Sequence, residues 1–150
     1  MADNFKVLLV DDEEEFVKAL AERLKMRDLQ SDLVYDGEQA LDFVEKKEPD
    51  VMVLDLRMPG IDGIEVLKQV KKAYPGIQVI ILTGHGTEKD EERARSLGAF
   101  DYLEKPVNIE TLVDRMKKAY RRRLEDSAVA ATYAEAGDYK TAKKIMDEDD

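Results

Sequence analysis

The sequence predicts an α/β fold, an open doubly wound sheet of five parallel strands with helices on both faces. Three observations carry that expectation. Val7 to Val10, Val51 to Leu54 and Val79 to Leu82 are continuous apolar runs, the pattern of strands covered on both sides. Between them the apolar spacing changes to helical periodicity. Polar and charged residues stand directly after these runs, at the strand ends where such sheets bind ligands.

Taken in order, the first strand is Val7 to Val10, and Phe16, Leu20 and Leu24 form the apolar stripe of the first helix. A partly alternating second strand lies within Leu29 to Tyr35, and Ala40, Leu41 and Val44 mark the second helix. The third strand is Val51 to Leu54, with Leu67, Val70 and Tyr74 on the helix that follows. After the fourth strand, Thr87 and Asp90 have the spacing of a capping pair, but only Ala94 and Leu97 anchor that helix before Gly98 stops it. The fifth strand lies within Ala99 to Leu103, and Asn108 is a good N-cap for a helix carrying Leu112, Val113, Met116, Ala119 and Tyr120. The second and fifth strands, weaker in pattern, read as edges. Right-handed crossovers leave few other topologies for five such units.

A chain of 150 residues supports one hydrophobic core. With 24 basic and 34 acidic residues, the net charge of −10 disfavours direct binding to nucleic acid or anionic lipid. No cysteine is present, which excludes disulfides, thiolate metal sites and cysteine nucleophiles. The amino-terminal stretch has neither a basic leader nor an apolar run long enough to span a membrane, so the expected location is the cytoplasm. Residues 1–122 are expected to form the domain. Residues 123–150, alanine-rich with a break at Gly137-Asp138, are expected to form a helical tail whose acidic end is disordered.

The strand ends bring Asp11, Asp12 and Asp55 to one edge, together with Thr83 and Lys105. Three converging carboxylates repel unless a cation lies among them, and an all-oxygen set suits Mg²⁺. One carboxylate is then available as a nucleophile toward phosphorus, and the position of Asp55 suits it. Lys105 and the Thr83 hydroxyl can serve the equatorial oxygens of the transferred group. Lys105 is expected to be solvent-exposed.

With Val-Asp-Asp at 10–12, Leu-Asp-Leu-Arg-Met-Pro-Gly-Ile-Asp-Gly at 54–63, Leu-Thr-Gly at 82–84 and Lys-Pro at 105–106, the chain resembles the receiver domain of bacterial two-component response regulators over about residues 5–122. The resemblance implies a flavodoxin-like strand order 2-1-3-4-5. It implies that Asp55 is the phosphoacceptor, that Asp11, Asp12, Asp55 and the Arg57 carbonyl hold Mg²⁺, and that Thr83 and Lys105 contact the phosphoryl oxygens. Thr83 and Tyr102 fall at the switch positions, and the Lys105-Pro106 bond at a cis peptide. The implied partners are a histidine kinase or phosphotransfer protein and a downstream protein target. A homodimer through the fourth helix, fifth strand and fifth helix would be consistent with such a protein. In that reading phosphate at Asp55 draws Thr83 toward it and opens space beneath the fourth helix for the Tyr102 ring, a population shift between two states that both exist beforehand.

Plainer roles compete for several residues. Glu13, Glu14 and Glu15 read as a solvated helix start, His85 as a loop residue, Pro59, Gly60 and Gly63 as turn formers, and Arg121 to Arg123 as charges suited to a helix end. A Mg²⁺ phosphohydrolase commonly places a second acid two residues after its nucleophile, but Arg57 stands there. A nucleotide or flavin domain needs a phosphate-cradling turn after the first strand, where this chain has Asp-Asp-Glu-Glu. A degenerate receiver used as a scaffold is disfavoured by the complete residue set. The expected protein is a phosphoacceptor for signalling, with no catalysis beyond its own phosphorylation and dephosphorylation.

Overall fold

The computed structural model describes the backbone of residues 4–135 and the side chains of residues 4–128. Five strands, β1 (Val7–Val10), β2 (Ser31–Val34), β3 (Val51–Leu54), β4 (Gln78–Thr83) and β5 (Asp101–Glu104), form one parallel sheet in the order β2-β1-β3-β4-β5. Leu9 sits beside Leu33 on one side and Val53 on the other, and Val53 beside Ile80, so the three apolar runs stack at the sheet centre. The two weakly patterned strands are the edges.

Alternation along the strands divides the core. Val7, Leu9, Val51, Val53, Ile80 and Leu82 face α1 (Glu14–Lys25) and α5 (Ile109–Glu135). Leu8, Val10, Met52, Leu54, Val79 and Ile81 face α2 (Gly37–Lys46), α3 (Gly63–Ala73) and α4 (Glu88–Ser96). Helix starts follow side-chain chemistry: Asp36 caps α2 through the Gln39 N–H, and Asp62 caps α3 through the Glu65 N–H. Thr87 and Asp90 form the full capping box on α4. Asn108 accepts from the Glu110 N–H at 2.8 Å at the start of α5.

Three differences from the sequence-based expectations have physical causes. In α1, Val17 joins Leu20 and Leu24 in the buried stripe, while Phe16 is only half-buried because it turns toward the sheet edge and Lys105. Lys71 is buried on α3, which is possible because its ammonium donates to the Pro75 and Ile77 carbonyls at 2.7 and 3.0 Å. Finally, α5 continues through residues 122 and 123 without a break. Arg123, the first residue of the expected tail, donates from its guanidinium to Glu48 at 2.5 Å and Asp50 at 2.9 Å. The remainder of the expected tail, residues 136–150, lies outside the described residues. Among the described residues, no helix is long and apolar enough to cross a membrane.

Candidate functional site

The carboxyl ends of β1 and β3 deliver three carboxylates to one place. Asp11, Asp12 and Asp55 each present an oxygen within 4.8 Å of the others. Asp11 and Asp55 are buried, whereas Asp12 is exposed. Their placement follows from register, because Val10 pairs with both Val34 and Leu54 and the residues after Val10 and Leu54 leave the sheet together. The Asp55 N–H donates to the Val10 carbonyl at 3.0 Å, which ties the two strand ends. Close by, Gly63 starts α3 so near the chain that a Cβ there would fall 2.2 Å from the Asp55 carbonyl oxygen. Glycine at 63 is therefore needed for α3 to begin against the residue it supports.

Lys105 reaches into this cluster from the end of β5, across a cis Lys105-Pro106 bond. Its Nζ is 2.7 Å from Asp11 Oδ2, 2.9 Å from Glu13 Oε1 and 3.8 Å from Asp55 Oδ2. It also lies 4.3 Å from the centroid of the Phe16 ring. The expectation of an exposed lysine is corrected: only 11% of the side chain is accessible, because the first-strand loop folds over it. Glu13, Glu14 and Glu15 are exposed at the helix start as expected, and Glu13 in addition accepts a hydrogen bond from Lys105.

The electrostatics follow from this packing. Burial pushes the Asp11 carboxyl up against the lowering pull of Lys105. Lys105 holds Glu13 below the ordinary carboxylate range. For Lys105, burial works against the charge, but hydrogen bonds to Asp11 and Glu13 prevail and keep its pKa above the usual value. Asp55 Oδ1 is buried without a hydrogen-bond partner among the described residues. An acceptor set made only of carboxylate oxygens, one of them orphaned, fits a hard divalent cation such as Mg²⁺.

Thr83, at the end of β4, is fully buried, and its Oγ1 accepts from the His85 N–H at 3.3 Å. His85 is exposed in the loop that follows, as expected. The Tyr102 ring is 8% exposed, and a Cβ on Gly86 would fall 1.5 Å from its hydroxyl oxygen. The ring therefore already lies inward beneath the β4–α4 loop. With no side chain at Gly86, space for the inward ring is open. Burial, followed by Asp90, Glu91 and Glu104, raises the pKa of its hydroxyl, which has no hydrogen-bond partner among the described residues. Arg57 sends its side chain away from the carboxylates to Asp90 at 2.7 Å, which bridges the β3–α3 loop to α4. Two contacts were missed in the sequence, Glu13 and Phe16 on Lys105. Their only signal was proximity to the Asp11-Asp12 pair.

The family model for the response regulator receiver domain matches residues 7–117. Similar solved structures include the receiver domain of Francisella response regulator 1452, 31% identical with a TM-score of 0.74, covering 79% of this chain and 98% of that one. A response regulator receiver domain protein from Clostridium thermocellum is 30% identical with a TM-score of 0.75, covering 79% of this chain and 96% of that one. The receiver domain of NtrX from Brucella abortus is 28% identical with a TM-score of 0.72, covering 77% and 98%. Fold, strand-end chemistry and these likenesses agree, and the chain belongs to the response regulator receiver domain family, the phosphoacceptor signalling domain of two-component systems.

Proposed function

We propose that Asp55 is the residue that takes the phosphoryl group, donated by a histidine kinase or a phosphotransfer protein. The observation that carries this reading is the buried Asp55 carboxylate, with one oxygen unpartnered, set between two further carboxylates and a lysine. An Asp55 oxygen attacks phosphorus in line with the donor's nitrogen, forming the new O–P bond as the N–P bond breaks, and the imidazole keeps the departing electron pair. Asp11, Asp12 and Asp55, with the Arg57 backbone carbonyl, would hold Mg²⁺, which when bound neutralises charge on the phosphoryl oxygens. Lys105 donates to one of those oxygens and Thr83 to another, both supplied by neighbouring strand ends.

The readout is placed on the face formed by α4, β5 and α5. Thr83 closing on the new phosphoryl group pulls on the β4–α4 loop, and Gly86 in that loop roofs the inward Tyr102 ring. Asp101 on this face is held by Arg95 at 3.3 Å and Arg115 at 3.0 Å, so β5 is already tied to α4 and α5. A downstream protein, or a second copy of the chain, reads that surface. Residues 1–122 are the receiver unit, and residues 123–150 are an appendage to it. The proposed setting is the cytoplasm.

The test is intact-mass measurement after incubation with a small acyl phosphate. Wild-type protein with Mg²⁺ should gain a single phosphoryl adduct, which disappears without the metal and in Asp55→Asn. Undiminished labelling of Asp55→Asn would refute the assignment.

A further inference from the structure

An ammonium group has three protons to donate. On Lys105 two are committed, to Asp11 Oδ2 at 2.7 Å and Glu13 Oε1 at 2.9 Å, while Asp55 Oδ2 at 3.8 Å lies beyond hydrogen-bond reach. The third N–H makes no hydrogen bond to Asp55 in this arrangement, and drawing the ammonium toward a group on Asp55 lengthens the bonds it already makes.

The two acceptors are unequal. Asp11 is buried and belongs to the carboxylate cluster. Glu13 stands outside the cluster with 57% of its side chain exposed, so its bond to Lys105 competes with water and is the weaker one. The Phe16 ring, 4.3 Å from the ammonium, adds a cation–π attraction that keeps it at the cluster.

Building on the proposed role of Lys105 as a phosphoryl contact, we infer that Glu13 is a positioning residue that parks Lys105 in the resting state and releases it when a phosphoryl group arrives on Asp55. Glu13 and the phosphoryl oxygens then compete for the position of one ammonium group. Phosphorylation is opposed by the strength of the Glu13–Lys105 pair, and a variant lacking that pair binds a phosphoryl mimic more tightly. For a pair with one exposed partner the gain is about two- to five-fold.

The experiment is titration of the whole chain with beryllofluoride in saturating Mg²⁺, followed by amide chemical shifts, for wild type, Glu13→Gln, Glu15→Gln and Asp55→Asn. Glu15 is exposed on the same first turn, so Glu15→Gln removes an equal charge without touching Lys105. Glu13→Gln should bind about two- to five-fold more tightly than wild type. Glu15→Gln should bind as wild type does, and Asp55→Asn should not bind. Titration with Mg²⁺ alone should give Glu13→Gln and Glu15→Gln the same affinity. If Glu13→Gln gained no more than Glu15→Gln, the parking role would be overturned while the Asp55 reading stood. Selective loss of Mg²⁺ affinity in Glu13→Gln would also overturn it, by making Glu13 a neighbour of the metal. Beryllofluoride binding that survived Asp55→Asn would overturn the site reading and the parking role together.

Discussion

Lys105 shows how far a single residue can be read before its surroundings are known. Its chemistry was legible, because a lysine followed by proline at the end of a strand reaches the same edge as Asp11, Asp12 and Asp55. Its burial was not legible, because the residues that cover it, Glu13 and Phe16, lie about ninety positions away in the chain and reach it only through side-chain direction. That burial changes the consequence of removing it. In Lys105→Ala, buried Asp11 and Asp55 face each other without a cation, at a cost on the order of 2 kcal/mol. Thermal or denaturant unfolding without metal should show the loss, and added Mg²⁺ should restore much of it. Equal stability of wild type and variant in metal-free buffer would mean that the ammonium is not offsetting the carboxylates. Tyr102 presents the opposite case, an unpartnered hydroxyl in a buried position. Tyr102→Phe removes the orphan group while keeping the ring, and should raise stability by about 1 kcal/mol in urea unfolding. A clear destabilisation would show that the hydroxyl has a partner after all.

Among the elements, α4 is the one whose hold on the sheet is slightest. Ala94 is its only buried residue, as the scarcity of apolar positions between Thr87 and Gly98 foretold. What secures its start is polar: the Thr87–Asp90 capping box, and the Arg57 guanidinium on the same Asp90 oxygen that accepts from the Thr87 N–H. The capping box was readable as a local spacing, but the Arg57 bridge was not, since it joins the β3–α3 loop to the first turn of α4, 33 positions on. A helix held by its first turn and by one small apolar contact opens at low cost, so it can be biased by changes at the strand ends. Hydrogen exchange of apo and beryllofluoride-bound protein should therefore differ most, outside the loops of the site, across residues 87–105. Changes concentrated in α1 and α2 with 87–105 unaltered would contradict a readout through α4. Lys71 on α3 was invisible in the sequence for a different reason. Its burial depends on two carbonyls in the turn after the helix, and the apolar periodicity says nothing about carbonyl direction.

At the scale of the molecule, continuous apolar runs and strand-end acids identified the class of sheet, because burial on both faces and ligand binding at the carboxyl edge leave marks in local composition. The order of the strands came from resemblance to a family, and the structure has that order. The end of the domain was less legible. Helix α5 keeps its course past residue 122, and Arg123 anchors to Glu48 and Asp50 on the opposite edge from the site, so charge pairing continues where the apolar stripe thins. That edge and the carboxylate edge lie at opposite ends of the strands. The central claim is that this edge exists to carry a phosphoryl group on Asp55, and its most direct measurement locates the group chemically. Protein phosphorylated in Mg²⁺ with a small acyl phosphate is reduced with borohydride, which converts an aspartyl phosphate to homoserine, and the product is mapped by peptide mass spectrometry. Homoserine is expected at position 55 alone. Homoserine at Asp11, Asp12 or another carboxylate, with Asp55 intact, would contradict it.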